Sequence, residues 1–179
     1  MVLAAGRGTR MRAPEPGAQL DPAQRRLAER GLKPLIPFHG HPYLSYGLTD
    51  LADAGFRHVC LVVGPEPDPI RAHYAELRTR RLRIAFAVQP EPRGGADALL
   101  RARPFAGDEP IAVLNADNHY PAPALAALRA LEGPGLVAFR RDALVARSNI
   151  PEERIAAFAL VSLDERGRLR RIVEKPTPE

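Results

Sequence analysis

The sequence has a single cysteine and no long apolar segment, and each shortage excludes a class of protein. One thiol can neither form a disulfide within the chain nor build a zinc site from several cysteines. Cys60 lies inside an apolar stretch, so we expect a buried strand residue. No stretch approaches the roughly 20 apolar residues of a transmembrane helix, and the apolar start, residues 2–5, is too short for a signal peptide. The sequence therefore predicts a cytoplasmic protein without a membrane partner.

Aromatic residues are few, at 6% of the chain with no tryptophan, and this bears on the net charge of +5. Such a charge often indicates a nucleic-acid-binding protein. Here the arginines are spread along the whole chain and acidic residues interleave with them, so no block of like charge forms. We expect no nucleic-acid partner, because a small phosphorylated substrate accounts for the charge equally well.

Lysine is also scarce: of the 26 basic residues only Lys33 and Lys175 are lysine. Arginine presents a planar fork of donors, whereas lysine is a compact point charge, so the two do not replace one another freely. Both lysines precede a proline. Either lysine is retained at these two positions by chance, or each position requires a compact ammonium group.

Strands and helices alternate along the chain. Apolar segments predict strands over 1–5, 57–63, 82–89, 111–115 and 135–140, and helical spacing predicts helices over 42–54, 69–80, 96–103 and 121–131. A hairpin over 156–174 is expected to turn at 164–167, and residues 13–32 form an insertion whose second half is a helix with Asp21 as N-cap, Pro22 at its first position and Gly31 at its end. Most strands are apolar on both faces, which is typical of a parallel sheet. The sequence predicts one α/β domain over 1–179, a Rossmann-like, mostly parallel sheet with helices on both faces.

Three segments with unusual residues leave the ends of these strands: 6–10, 89–95 and 115–118. Ligands of such sheets bind outside the carboxyl ends of the strands, so we expect the three segments to converge on one crevice. The first segment is a glycine-containing turn whose backbone N–H groups can cradle phosphates. It is not a P-loop, and Met11 stands where a dinucleotide fingerprint has its third glycine. Taken alone, this segment is most simply an ordinary tight turn.

Four further motifs follow it in the chain. They are Lys33-Pro34-Leu35; the set Gln89, Pro92, Gly94, Ala96 and Ala98; the pair Asp117-Asn118; and Glu174-Lys175-Pro176. Together with the opening Leu-Ala-Ala-Gly-Arg-Gly-Thr-Arg-Met of residues 3–11, the set resembles the sugar nucleotidyltransferase family, the thymidylyl- and uridylyltransferases acting on sugar-1-phosphates. The five motifs occur in that family's order and cover nearly all of the chain.

The resemblance implies transfer of a pyrimidine nucleoside monophosphate from UTP or dTTP to a sugar-1-phosphate, with release of pyrophosphate. The catalytic residues would be Arg10, Lys33 and Asp117, and the nucleotide site would comprise Leu3, Ala4, Ala5, Gly6, Gly8, Thr9, Arg10, Gln89, Pro92 and Gly94. Among these, Gln89 and Gly94 would face the base, and Asp117 would bind Mg²⁺. Glu174 would hydrogen-bond the sugar hydroxyls, and Lys175 would pair with the sugar phosphate.

The chemistry of that reaction fits these residue types. The attacking phosphate is already an anion near neutral pH, since its second pKa is about 6, so no general base is needed. The enzyme must instead gather several negative charges in line and stabilise the leaving pyrophosphate. Backbone N–H groups, arginine, lysine and a divalent metal do this.

Simpler interpretations stand beside these. Asp117 could cap the following helix, Gln89 could be a solvated strand end, and Glu174 with Lys175 could be a surface pair. His39 and His41 flank Gly40 and are interpreted as turn residues rather than metal ligands. The functional alternatives are a nucleotidyltransferase for a non-sugar phosphate and a non-catalytic nucleotide-binding relative.

The sequence departs from the family pattern at three places. The 13–32 insertion is longer than the usual link between the glycine turn and the lysine. Ala159 stands where the family commonly has a glycine, which could narrow the sugar pocket. The family also continues past Glu-Lys-Pro and draws a second acidic metal ligand from there. We therefore expect the C-terminal part of the family core to be absent, turnover to be low, and the last strand to be an exposed edge. A homo-oligomer would be one way to cover that edge.

Overall fold

The computed structural model describes residues 1–6, 19–174 and 176. The chain divides into two compact units, Met1–Gly133 and Pro134–Glu179. Each unit is described by itself below, and the single domain expected over 1–179 stays a prediction.

The first unit is built on four parallel strands. Its elements in chain order are β1 (Val2–Leu3), α1 (Pro22–Glu29), a 3-10 turn at Lys33–Leu35, β2 (Pro37–Phe38), β3 (His41–Pro42), α2 (Tyr43–Asp53), β4 (His58–Val63), α3 (Pro69–Ala75), β5 (Arg83–Val88), α4 (Gly95–Arg101), α5 (Arg103–Ala106), β6 (Leu114–Asn115) and α6 (Ala122–Arg129). The sheet order is β5-β4-β1-β6, and all three neighbouring pairs are parallel. The predicted parallel α/β fold is confirmed.

Strand β4 carries the core on both of its faces, because successive side chains of a strand point to opposite sides. Val59, Leu61 and Val63 pack in one cluster with residues of α2, α3 and α6. Cys60 and Val62 pack in a second cluster that includes residues of α4. Helices therefore cover both faces of the sheet, as predicted. Cys60 is fully buried, and burial raises the pKa of its thiol, in line with a structural strand residue.

Helix α1 begins with a complete capping box, as the Asp21-Pro22 sequence predicts. One carboxylate oxygen of Asp21 accepts hydrogen bonds from the backbone N–H groups of Ala23 at 2.7 Å and Gln24 at 2.8 Å. The Gln24 side chain in turn accepts from the Asp21 N–H at 3.2 Å. Gly31, just past the end of the helix, has a φ of +72°. These contacts give the second half of the inserted segment its own local stability.

Replacing Asp21 with alanine is expected to destabilise the protein by about 1 kcal/mol, since two backbone donors lose their acceptor. The measurement is the free energy of unfolding in denaturant. Arg25→Ala, an exposed position in the same helix, is the control. Equal stability of both variants would mean that the cap contributes nothing.

The second unit contains α7 (Arg141–Arg147), α8 (Glu152–Ala156), β7 (Leu160–Leu163) and β8 (Leu169–Val173). Strands β7 and β8 pair antiparallel, which confirms the predicted hairpin. Its turn lies where expected: Asp164 accepts backbone hydrogen bonds from Arg166 and Arg168, and Gly167 has a φ of +74°.

The strand predicted over Gly135 to Arg140 is wrong. These residues are described, and no strand forms there. Leu136 and Phe139 are each 46% exposed. An apolar segment becomes a strand only when a neighbouring strand pairs with it, and periodicity cannot supply that partner. Helices α5, α7 and α8 were not predicted from the sequence. Within the described residues, no helix combines the length and apolarity needed to cross a membrane.

Candidate nucleotide-binding site

The first unit has a cavity of about 410 Å³ at the carboxyl ends of its strands. Residues that follow β1, β5 and β6 all line it, so the predicted convergence of three strand ends is confirmed for the part of the chain that the structure describes. The predicted site residues lining it are Leu3, Ala4, Ala5, Gly6, Lys33, Gln89, Pro92, Gly94 and Asp117. Gly95, Asn115 and Ala116 line it as members of the converging segments, and Pro34 and Ala98 as members of the motifs, although none was named as a site residue. Gly31 and Val62 line it too and were not expected there.

Several predicted residues are not placed in this cavity. Gly8, Thr9, Arg10 and Lys175 lie outside the described residues. Glu174 is an exposed residue that directly follows β8 in the second unit. The expected roles of these five residues stay predictions.

Gly6 leaves its stretch of backbone open to the cavity. A Cβ added there would meet no described atom within 4 Å. Among the described residues, nothing stands between the cavity and the main chain at Gly6, whose N–H group is a possible donor.

Lys33 and Asp117 meet although they lie 84 positions apart. The 3-10 turn with the buried Pro34 carries Lys33, and Asp117 follows β6. The Lys33 Nζ lies 3.4 Å from Asp117 Oδ2, and the two side chains are 32% and 44% exposed. The pair thus places a positive and a negative group side by side, both still reachable from solvent.

The alternative that Asp117 caps a helix is wrong. Helix α6 begins after Pro121, and no side chain of the described residues hydrogen-bonds to that cap. Among the described residues, the Asp117 side chain contacts Lys33 and not the start of a helix. Burial and then the nearby Asp117 raise the pKa of Tyr43, so this phenol stays neutral and adds no negative charge to the region.

Gln89 is buried, at 6% exposure, which contradicts the alternative of a solvated strand end. Its backbone N–H donates to the carbonyl of Val63 at 2.9 Å, so the residue extends the pairing of β5 with β4. Its side-chain Nε2 donates to the carbonyl of Gly94 at 3.0 Å and to Asp97 Oδ2 at 2.9 Å. Both amide protons are therefore used within the protein.

Position 94 favours glycine because of its backbone conformation and not because a side chain would lack room. Its φ is +96°, a region that other residues rarely adopt, and an added Cβ would meet no described atom within 4 Å. This conformation precedes α4 and turns the Gly94 carbonyl toward Gln89.

Asp117 is the carboxylate that lines the cavity in the described part of the chain. No group of three or more histidine, cysteine or acidic side chains there could hold a metal ion. This donor set does not fit zinc. It fits Mg²⁺, which is commonly held by one or two carboxylates together with substrate phosphates and water.

The two histidines of the predicted turn lie in a tight hairpin between β2 and β3. His39 and Gly40 occupy the turn with φ values of +47° and +81°, the signs of a type I′ turn. His41 pairs with Phe38 in the adjoining strands. The interpretation as a turn residue agrees with this geometry for His39, whereas His41 is the first residue of strand β3.

Comparison with known proteins identifies the family of this chain. The family model described as nucleotidyl transferase matches residues 1–179. The chain belongs to the nucleotidyl transferase family. It is 28% identical over 176 residues to a glucose-1-phosphate thymidylyltransferase of Streptomyces griseus, covering 98% of this chain and 44% of that protein. It is 27% identical over 181 residues to the catalytic subunit beta of a mannose-1-phosphate guanylyltransferase of Drosophila melanogaster, covering 98% of this chain and 43% of that protein.

A solved structure has the same fold. The UTP-bound UGPase from Acinetobacter baumannii superimposes with a TM-score of 0.63 at 16% identity, covering 98% of this chain and 67% of that one. At this identity the likeness establishes the fold alone. The chain spans less than half the length of the two relatives named above.

Proposed function

We propose that this chain is a nucleotidyltransferase that transfers UMP or dTMP from the triphosphate to a sugar-1-phosphate and releases pyrophosphate. The observation that carries the proposal is the shared cavity at the strand ends. It brings together open backbone at Gly6, the Lys33–Asp117 pair and the buried amide of Gln89. These are the groups that phosphate binding, charge neutralisation and base recognition require.

The proposed reaction needs no nucleophile from the protein. An oxygen of the sugar phosphate attacks the α-phosphorus, and the bond from that phosphorus to the oxygen bridging to the β-phosphate breaks. The main barrier is the approach of two highly charged anions. Lys33 lowers it by placing an ammonium group among the phosphates, and backbone N–H groups near Gly6 add fixed donors. Mg²⁺ held by Asp117 would neutralise charge on the triphosphate and on the leaving pyrophosphate.

Base recognition is proposed to fall to Gln89. Because both of its amide protons are donated inside the protein, its oxygen is the atom left for a ligand, and that oxygen can only accept. It therefore suits bases with a ring N–H group. The relatives named above are a thymidylyltransferase, a guanylyltransferase and a UTP-bound protein. Thymine, guanine and uracil all have such a group. The pyrimidine choice within that set follows the sequence motifs.

The sugar half rests on the Glu174-Lys175-Pro176 motif. Glu174 is proposed to accept hydrogen bonds from sugar hydroxyls and Lys175 to pair with the sugar phosphate. A carboxylate accepts two hydroxyl protons at once, which is why it suits a diol.

The test is a product assay on the whole chain with Mg²⁺. Each of UTP, dTTP, CTP, ATP and GTP is combined with a panel of sugar-1-phosphates and phosphorylated alcohols. Pyrophosphate and the nucleotide product are both quantified. We expect product from UTP or dTTP with at least one sugar-1-phosphate. Product only with phosphorylated alcohols would establish the non-sugar alternative, and binding without product the non-catalytic one. Equal use of GTP would contradict the proposed pyrimidine choice but not the contact of Gln89 with a ring N–H group.

A further inference from the structure

Asp97 contacts the proposed base-reading residue, although none of the sequence motifs includes it. It is the third residue of α4, and its side chain is only 19% exposed. A carboxylate at this position usually serves the helix itself, by bonding back to the N-cap or by complementing the helix dipole.

Asp97 hydrogen-bonds to two other side chains and not to the N-terminus of its helix. Among the described residues, α4 has no side-chain cap, so Asp97 does not bond back to Gly94. Its Oδ2 accepts from Gln89 Nε2 at 2.9 Å, and its Oδ1 accepts from Arg101 Nη2 at 3.3 Å. The carboxylate is thus divided between the buried amide and a surface arginine.

This contact fixes which way the Gln89 amide points. If the amide were flipped, its oxygen would face two acceptors, the Asp97 carboxylate and the Gly94 carbonyl, with no proton between them. Such an arrangement leaves buried polar atoms without partners and is costly. The hydrogen bond from Gln89, and next the one from Arg101, lower the pKa of Asp97, so the carboxylate stays ionised and keeps accepting.

We propose that Asp97 is a positioning residue that locks the Gln89 amide with its oxygen outward and thereby makes the site prefer uracil or thymine to cytosine. The inference rests on the proposed role of this cavity in nucleotide binding. Uracil and thymine have an N–H at N3, which can donate to the Gln89 oxygen. Cytosine has a lone pair at N3, which that oxygen repels. UTP and CTP have nearly the same size and shape, so cavity shape alone cannot separate them.

The experiment compares UTP with CTP in the whole chain. The dissociation constants of both nucleotides are measured with Mg²⁺ by calorimetry, together with kcat/KM wherever turnover is found. The variant is Asp97→Asn. Asparagine can donate to the Gln89 oxygen, so the Gly94 carbonyl alone then opposes the flipped amide that matches cytosine. We expect the preference for UTP over CTP to fall by about tenfold or more. When the Gln89 amide turns to match cytosine, its buried oxygen no longer faces the Asp97 carboxylate without a proton between them.

Two further variants separate positioning from mere stability. Arg101→Ala removes the other partner of Asp97, a side chain 45% exposed, and leaves the carboxylate in place. It should retain the wild-type UTP preference. Asp97→Ala removes the acceptor without offering a donor, and it should lower the preference even if Asp97→Asn fails to fold. Melting temperatures show which variants are folded.

The outcomes are distinct. Wild-type preference for UTP with an unchanged ratio in folded Asp97→Asn or Asp97→Ala would overturn this inference and leave the proposed function standing. An equal loss of preference in Arg101→Ala would also overturn it, since the effect would then belong to the helix. If the wild type binds neither UTP nor CTP, the proposed function itself fails, and this inference fails with it.

Discussion

Lys33→Ala is expected to slow nucleotidyl transfer at least about a hundredfold, because preorganised charge at reacting phosphates is typically worth several kcal/mol of barrier. In a cavity lined by a single described lysine, no neighbouring ammonium replaces it. Steady-state rates of pyrophosphate release at saturating nucleotide measure the effect. A rate near that of the wild type would remove Lys33 from the mechanism.

The fold should survive this substitution. The Lys33–Asp117 pair is about one third to one half exposed, and such pairs contribute about 0–1 kcal/mol to stability. Arg81→Ala is the control, because Arg81 forms an exposed ion pair with Asp53, with side chains 53% and 51% exposed, and does not line the cavity. Both variants should melt within a few degrees of the wild type, and only Lys33→Ala should lose activity.

Lys33→Arg sharpens the test. The chain uses arginine at every basic position except two, so retention of lysine here argues for a compact charge. Arginine keeps the positive charge but spreads it over a fork. We expect an intermediate loss of about tenfold or more, and full activity of Lys33→Arg would mean that only charge matters.

A strand of the sheet can be predicted from the sequence when its burial in the core alone determines its position. Strand β4 is a continuous apolar segment, and burial on both faces leaves it no other place. The place of Asp117 at the sheet edge was also predictable, because parallel strands direct their carboxyl ends to one edge whatever their distance in sequence. Lys33 lies on a 3-10 turn and not at the end of a sheet strand, so its contact with Asp117 did not follow from the topology. Position after a strand is a topological fact, and alternating elements reveal it.

The hydrogen-bond partners of individual side chains could not be predicted from the sequence. The burial of Gln89 depends on a carbonyl turned by the unusual backbone of Gly94 and on a carboxylate one turn into α4. No periodicity encodes such a contact. A glycine before a helix with an acidic residue three positions later was the available signal, but its ordinary meaning is a helix cap. The strand predicted over Gly135 to Arg140 failed for the same reason. Whether a segment forms a strand depends on a neighbouring strand that pairs with it, and the segment's own sequence does not show that partner.

Asp117→Asn is expected to abolish most activity, because asparagine keeps the shape and removes the charge that would hold Mg²⁺. Activity of the wild type should require Mg²⁺ or Mn²⁺ and should vanish in EDTA. Unchanged turnover in EDTA would refute a metal at this site altogether.

The lysine contact complicates the interpretation of this variant, since removing the Asp117 carboxylate also frees Lys33 from its partner. Metal binding separates the two effects. Titration with Mn²⁺ in the presence of nucleotide, followed by electron paramagnetic resonance, should give weaker binding in Asp117→Asn and nearly unchanged binding in Lys33→Ala. If both variants bind Mn²⁺ like the wild type while activity falls in each, then Asp117 acts by orienting Lys33, and the metal is held by other groups.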